Sequence, residues 1–346
     1  MTIVTLGIDL AKNIFALHGV TADGKVELQR PAVRRDKLEE FVAALPPCLI
    51  GMEACSGAHE WARRFARYGH TVKLIAPKFV APYRLSGKRG KNDAADAAAI
   101  CEAVSRPAMR FVPVKTVEQQ GELSLHRARQ GYVEQRTALI NRMRGLLAEF
   151  GIVLAQKAET IRREVVHLLE DLPGHLNTVI GDALTDLERL DQRIAEYDKH
   201  IASCAKANNA AKQLMQLPGI GPMTASALVA SIGDGHDFKN GRQLAAWLGL
   251  VPGQYSSGGK QRLGRITKAG DRYLRTLLIL GARSVLQSGK KKEDRISRWT
   301  QAVEERRGYW KAAVAMAAKN ARLAWAMLHH GKDFRLYGDS ASAGAA

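Results

Sequence analysis

The chain has 346 residues, more than one ordinary core holds, so two or three domains are expected and a small peptide-like module is excluded. Hydrophobic residues make up 46% and charged residues 25%, and no uninterrupted apolar run reaches the roughly 18 residues that cross a bilayer, which excludes a membrane-spanning protein. Lys and Arg outnumber Asp and Glu by 52 to 34, a net charge of +18 that calls for a polyanionic partner, nucleic acid first; at 6% aromatic content a membrane-surface helix ranks well below.

The opening Met1-Thr2-Ile3-Val4-Thr5-Leu6-Gly7-Ile8-Asp9 has no basic segment ahead of its apolar stretch, unlike a secretory signal, so a cytoplasmic location is expected. Thr2 to Leu10 is β-branched, Phe15 to Val20 follows a turn, and Lys25 to Gln29 follows Ala22-Asp23-Gly24, a hairpin signal. Three antiparallel strands are predicted. Lys37 to Leu45 has helical spacing, Cys48 to Glu53 reads as a buried strand, Ala58 to Tyr68 as an amphipathic helix and Thr71 to Ile75 as a further strand. Asn92 then caps a helix from Asp93 to Val104, whose alanines allow close packing on a sheet. This alternation predicts a mixed-sheet α/β domain over residues 1–115. Cys48, Cys55, Cys101 and Cys204 form no C-x-x-C pair, so neither a zinc site nor a disulfide framework is suggested, and reduced, mostly buried thiols are expected.

Residues 116–206 are read as a helical, coiled-coil region, because Leu123 to Phe150 and Leu184 to Ala202 repeat apolar residues at helical spacing; Gly131 and Gly145 argue against one unbroken first helix. Arg127, Arg129, Arg136, Arg142 and Arg144 make that arm basic, with Arg127 and Arg136 candidates for nucleic-acid contact, against the plainer reading of a solvated face. Residues 207–332 are expected to form a mainly helical carboxy-terminal domain. It opens with Leu217-Pro218-Gly219-Ile220-Gly221-Pro222, the pattern of a helix-hairpin-helix, in which backbone amides around Gly219 and Gly221 meet a phosphate. A helix from about Thr300 to His329 follows, and residues 333–346 are expected to be a disordered tail.

Four acids stand where a mixed sheet gathers them. Asp9 closes the first strand, Glu53 closes the buried one, and Asp93 and Asp96 share a helix face by their i, i+3 spacing. A carboxylate ending an apolar strand is costly unless a cation meets it, and oxygen-only ligands suit Mg²⁺ or Mn²⁺, which support phosphoryl transfer. Singly, each acid also reads as a cap or an ion-pair partner.

Downstream, Gly249-Leu250-Val251-Pro252-Gly253-Gln254-Tyr255-Ser256-Ser257-Gly258-Gly259-Lys260 is a flexible polar loop. From Lys260 to Arg298 there are twelve basic residues and three acids, a local +9, and Lys260, Arg262, Arg265, Lys268, Arg272 and Arg275 are the candidate nucleic-acid ligands. A hydroxyl among such cations can attack a phosphodiester, although Ser256 and Ser257 also fit an ordinary turn.

Together, Asp9, Glu53, Asp93 and Asp96 in that order, the helical middle, Leu217-Pro218-Gly219-Ile220-Gly221 and Tyr255-Ser256-Ser257-Gly258-Gly259-Lys260 resemble one family over nearly the whole chain. It is the DEDD transposases of bacterial insertion sequences, the IS-one-ten family, and the Ser-Ser-Gly-Gly-Lys form is similar to its IS-eleven-eleven branch. The resemblance implies a RuvC-like, RNase H-type amino-terminal domain whose four acids bind Mg²⁺, and a serine nucleophile in the carboxy-terminal domain. The family motif, an aromatic residue, a variable one, then Ser-Gly, puts that nucleophile on Ser257 with Ser256 in the variable place. It further implies a covalent phosphoserine intermediate on DNA, a homo-oligomer (dimer or tetramer), a structured guide RNA from the same element, and a place at the bacterial nucleoid. On that view the helical arm and amino-terminal domain would serve RNA and the Lys260 to Arg298 segment DNA. Three alternatives stay open: a RuvC-like structure-specific nuclease with water as nucleophile, an actin-like kinase suggested by Gly7-Ile8-Asp9-Leu10, and a non-catalytic nucleic-acid-binding protein.

Overall fold

A computed structural model describes residues 2–84, 92–154, 158–290 and 292–334, and the chain divides into two compact units, Met1–Thr116 and Val117–Ala346. Most of the expected disordered tail, from residue 335 onward, lies outside the described residues.

In the first unit β1 (Thr5–Asp9), β2 (Ile14–Val20) and β3 (Val26–Arg34) run antiparallel, as their turn signals predict. Then come α1 (Arg35–Ala43), β4 (Leu49–Glu53), α2 (Ala58–Ala66), β5 (Thr71–Ile75), α3 (Pro77–Val80), a 3₁₀ turn (Ala81–Tyr83), α4 (Asp93–Val104) and β6 (Phe111–Val112). The sheet order is β3-β2-β1-β4-β5-β6, with β1, β4 and β5 mutually parallel and β6 antiparallel to β5. At two residues β6 is too short to show any alternation in sequence.

Period-two alternation explains how the sheet is covered. Leu6, Ile8, Ile50 and Met52 point to one face, where they form a core with Phe15, Trp61 and Phe65. Leu49, Gly51 and Glu53, like Gly7 and Asp9, fall by alternation on the other face, which carries α4. That helix begins where the sequence places it, because the Asn92 side-chain oxygen accepts a 2.7 Å hydrogen bond from the Ala95 amide.

The second unit contains α5 (Val117–Ala148), α6 (Ala158–Leu168), α7 (His175–Ala207), α8 (Asn209–Leu214), α9 (Pro222–Ile232), α10 (Gly241–Trp247), β7 (Pro252–Gln254), β8 (Leu263–Ile266), α11 (Arg272–Gly289), α12 (Arg295–Arg307) and α13 (Tyr309–His330). Helix α5 passes through Gly131 and Gly145 without a break, contrary to the expectation, and packs along α7. Leu139, Met143 and Leu147 meet Leu176, Ile180 and Leu187 there, while Arg129 pairs with Asp198 and Arg136 with Asp191 at 3.1 Å. These contacts outweigh the cost of about 1 kcal/mol that a helical glycine carries relative to alanine. The single helix expected from Thr300 to His329 is instead two, parted at Gly308, whose φ of 83° ends α12.

A buried polar knot also lies in this unit. His126 of α5, 1% exposed, is hydrogen-bonded through Nε2 to the Ser226 hydroxyl of α9 and through Nδ1 to the Tyr273 hydroxyl of α11, both at 3.0 Å. All four cysteines are free; Cys48 and Cys101 are buried as expected, whereas Cys55 is exposed. No described helix is long and apolar enough to cross a membrane.

Candidate active site

Backbone packing gathers the four acids. Strands β1 and β4 are parallel and in register through Ile8 and Met52, so Asp9 and Glu53 follow side by side at the strand ends and on one face. Above them α4 lies so close that a Cβ on Gly7 would stand 2.2 Å from the Ala97 carbonyl oxygen, and one on Gly51 would stand 2.7 Å from Val104 Cβ. Glycine at both positions is what allows the approach. With Ala97, Ile100 and Val104 fixed over the glycines, the first turn of α4, carrying Asp93 and Asp96, projects to the same ends as Asp9 and Glu53.

The electrostatics agree with that geometry. The Asp9 carboxyl is pushed up to about 6, first by its own burial and then by the charges of Asp96, Asp93 and Glu53, with Arg84 pulling the other way. Asp96 is buried and Glu53 half-buried, while Asp93 is exposed at the helix start. Arg84, just after the 3₁₀ turn, brings Nε to 2.5 Å from Asp96 Oδ1 and Nη2 to 3.6 Å from Glu53 Oε1. Sequence reasoning missed Arg84, since nothing local marks an arginine after Pro82-Tyr83 as a partner of acids in other elements.

The donor set fits a hard divalent cation: four carboxylates, oxygen donors throughout, and a sealed Asp96 Oδ1 that has no hydrogen bond. Among the described residues no three His, Cys, Asp or Glu side chains are closed into a ligand sphere; the Arg84 guanidinium lies against two of the acids instead.

In the second unit, β7 and β8 form a two-stranded hairpin whose tip distinguishes the two serines. Tyr255 donates its amide to the Arg262 carbonyl at 2.9 Å, and Ser257 pairs with Lys260 across Gly258 and Gly259, at φ 56° and 74°. Two successive left-handed residues make the tight turn that glycine permits. Ser256 is a structural residue here: its Oγ accepts from Gln254 Nε2 at 2.9 Å and from the Arg262 amide at 3.2 Å. The Ser257 hydroxyl makes no side-chain hydrogen bond among the described residues and stands exposed on the turn, beside a Tyr255 ring that is 82% exposed.

The basic residues divide. Lys260, Arg262, Arg265, Lys268 and Arg272 are exposed around the hairpin and the start of α11. Arg275 is not: it is buried, and its Nη1 donates to the carbonyls of Leu248, Ala269 and Asp271, so the expectation that it contacts nucleic acid is corrected. Its charge fixes the loop between α10 and α11. On α5, Arg127 is exposed, whereas Arg136 is drawn to Asp191 and holds the helical hairpin. Helices α8 and α9 flank the Leu217–Gly221 turn; Gly221 is exposed at the start of α9, and Gly219 is half-buried against Gly281 of α11.

Comparison with known proteins bears on this arrangement. The family described as Transposase IS116/IS110/IS902 matches residues 211–297, the span with the hairpin, and the DEDD transposase family of the IS110 type matches residues 6–152, the span with the acids. A probable family 20 transposase of Pseudomonas aeruginosa is 47% identical over 336 residues, covering 95% of this chain and 97% of its own length. This chain belongs to the IS110 family of transposases. The transposase for insertion sequence element IS1111A of Coxiella burnetii is 43% identical over 95% of this IS110-family chain and 91% of its own. The transposase for insertion sequence element IS1328 of Yersinia enterocolitica is 38% identical over 96% and 98%. Membership implies an enzyme that cuts and rejoins DNA and therefore binds it, and DEDD transposases in general suggest use of a divalent metal.

Proposed function

We propose that this protein moves an insertion sequence by covalent serine catalysis, with Asp9, Glu53, Asp93 and Asp96 as the metal-holding acids and Ser257 as the nucleophile. The observation that carries the reading is the convergence of the four acids at the ends of β1 and β4, enforced by the close approach of α4, through its backbone at Gly7 and through its side chains at Gly51. The strand order, three antiparallel strands followed by two parallel ones, supports an RNase H-type fold for this unit.

Mg²⁺ or Mn²⁺ held by these carboxylates would draw charge from a phosphate oxygen and make phosphorus easier to attack. Ser257 supplies the nucleophile. Its Oγ forms a bond to phosphorus and gives up its proton, while the P–O bond to the leaving deoxyribose oxygen breaks and that oxygen takes up a proton. Lys260 and Arg262, exposed on the same hairpin, offset the charge that grows on the phosphate. A deoxyribose hydroxyl from the second strand then attacks the phosphoserine, joining the strands and returning the Ser257 proton. The phosphoester is exchanged rather than hydrolysed, so no external energy source is needed. An oligomer and a structured RNA from the element complete the reading; the net charge of +18 and the exposed Arg127 on α5 support a polyanion beyond the DNA at the hairpin.

The test is a denaturing gel of the full-length protein with labelled element-end DNA and Mg²⁺, together with sequencing of RNA that co-purifies. Wild type and Ser256→Ala should retain a protein–DNA adduct, and Ser257→Ala should lose both adduct and strand transfer. Undiminished strand transfer by Ser257→Ala, with no adduct in any sample, would give the chemistry to water and favour a RuvC-like nuclease.

A further inference from the structure

We propose that Arg84 is a resident counter-cation of the carboxylate quartet, holding Glu53 and Asp96 until a divalent ion displaces it. The proposal deepens the metal-dependent reading above and rests on it.

Three side chains carry it. Arg84, Glu53 and Asp96 are 25%, 15% and 6% exposed, and the guanidinium spans the two acids at 2.5 Å from Asp96 and 3.6 Å from Glu53. Carboxylates this far out of water and this close together need a compensating charge to remain gathered. Arg84 provides one. The contact is ionic rather than directional, because Arg84 Nε and Asp96 Oδ1 are both sealed from solvent yet are not aligned as a hydrogen bond. Such a contact holds Asp96 without fixing its geometry, and parting Arg84 Nε from Asp96 Oδ1 breaks no aligned hydrogen bond.

A divalent ion would bind these same oxygens at about 2.1 Å. Guanidinium and metal cannot both touch one carboxylate oxygen at contact distance in a poorly hydrated site, since their mutual repulsion is of the size of the attraction each gains. Binding is therefore competitive, and Arg84 has to leave Asp96 for the metal to enter. Its backbone position favours this: Arg84 follows the 3₁₀ turn Ala81–Tyr83 in extended conformation, outside any helix or strand.

The experiment is isothermal titration of Mn²⁺ into the full-length protein at neutral pH, with thermal unfolding measured in EDTA and in saturating Mn²⁺. Close charge pairs contribute about 1.5 kcal/mol or more, so Arg84→Gln should bind Mn²⁺ roughly tenfold tighter than wild type or better. In EDTA the same variant should melt below wild type, and saturating Mn²⁺ should close that gap. Arg84→Lys, which keeps the charge without the fork, should fall between, and it carries the test if Arg84→Gln does not fold. Unchanged or weaker Mn²⁺ binding in the variants would overturn the proposal and make Arg84 a support of the metal site. Asp96→Asn separates the two levels: if wild type and Asp96→Asn alike bind no Mn²⁺, the metal reading itself fails, and the role of Arg84 with it.

Discussion

Replacing Gly7 by alanine would build a methyl carbon 2.2 Å from the Ala97 carbonyl oxygen, 2.5 Å from the Cys101 amide nitrogen and 2.8 Å from Cys101 Cβ. A carbon–oxygen contact settles at about 3.3 Å, so α4 must retreat by about 1 Å. Two of the three obstacles are backbone atoms, which no rotamer change relieves. Overpacking of this kind costs about 1–3 kcal/mol, and 1 kcal/mol moves the midpoint of a small domain by about 4–8 °C, so Gly7→Ala should melt at least about 4 °C below wild type. Because α4 carries Asp93 and Asp96, the same retreat moves two acids away from the other two, and a displacement of about 1 Å can lower a rate about 100-fold. Gly51→Ala meets side-chain carbons of Val104 and Ile100 from 2.7 Å outward, so its effect should be in the same direction and smaller. The assay is thermal unfolding alongside strand transfer on a plasmid that carries the element ends, at a temperature where each variant remains folded. If Gly7→Ala melted low yet transferred strands at the wild-type rate, helix packing would not set the spacing of the acids.

Changing Lys260, Arg262 and Arg265 together to alanine should weaken DNA binding on every sequence and flatten the log–log salt slope by about 2–3, whereas Arg275→Ala should lower stability and leave that slope alone; binding isotherms at several salt concentrations distinguish the two. The acid sensitivity of the second unit should reside partly in His126, which burial, followed by the charge of Arg129, brings down to about 4 from an ordinary value of 6.5. Between those values the unfolded chain binds the proton that the folded one refuses, so this contribution is complete above pH 6.5 and is lost as pH falls towards 4, by up to about 3 kcal/mol. Urea unfolding at pH 5 and pH 7 should show a smaller difference for His126→Gln than for wild type. Gly145→Ala, on an exposed part of α5 with nothing within 4 Å of the added carbon, should stabilise the protein by up to about 1 kcal/mol; a lower urea midpoint would mean that the glycine has a role.

Local chemistry made much of this readable in advance. Strands β1, β2, β4 and β5 show as β-branched or apolar runs, β3 shows through the Asp23-Gly24 turn before it, and α4 begins at Asp93 because Asn92 caps it. Glu53 drew notice as a charge ending an apolar strand, and Asp93 and Asp96 through their spacing. The remainder depends on contacts that no local window contains. His126 meets partners 100 and 147 positions away, and Arg84 reaches Glu53 and Asp96 in two other elements. Arg275 counted as a free cation because its helix gives no sign of the three carbonyls that surround it. Ser256 and Ser257 are alike as neighbours in a chain; the hairpin register separates them by turning one hydroxyl into a crosslink and leaving the other in solvent.

The closeness of α4 to β1 and β4 makes the two faces of one sheet answer differently to mutation. On the face covered by α1 and α2, bulky groups such as Phe15, Trp61 and Phe65 fill the space, and exchanges among hydrophobic residues can be absorbed by neighbouring rotamers. On the opposite face the helix backbone rests nearly on Gly7 and the Val104 and Ile100 side chains on Gly51, so little slack remains to absorb an added methyl group. Drift over generations should therefore accumulate under α1 and α2, while residues 7 and 51 hold the machinery to a single spacing.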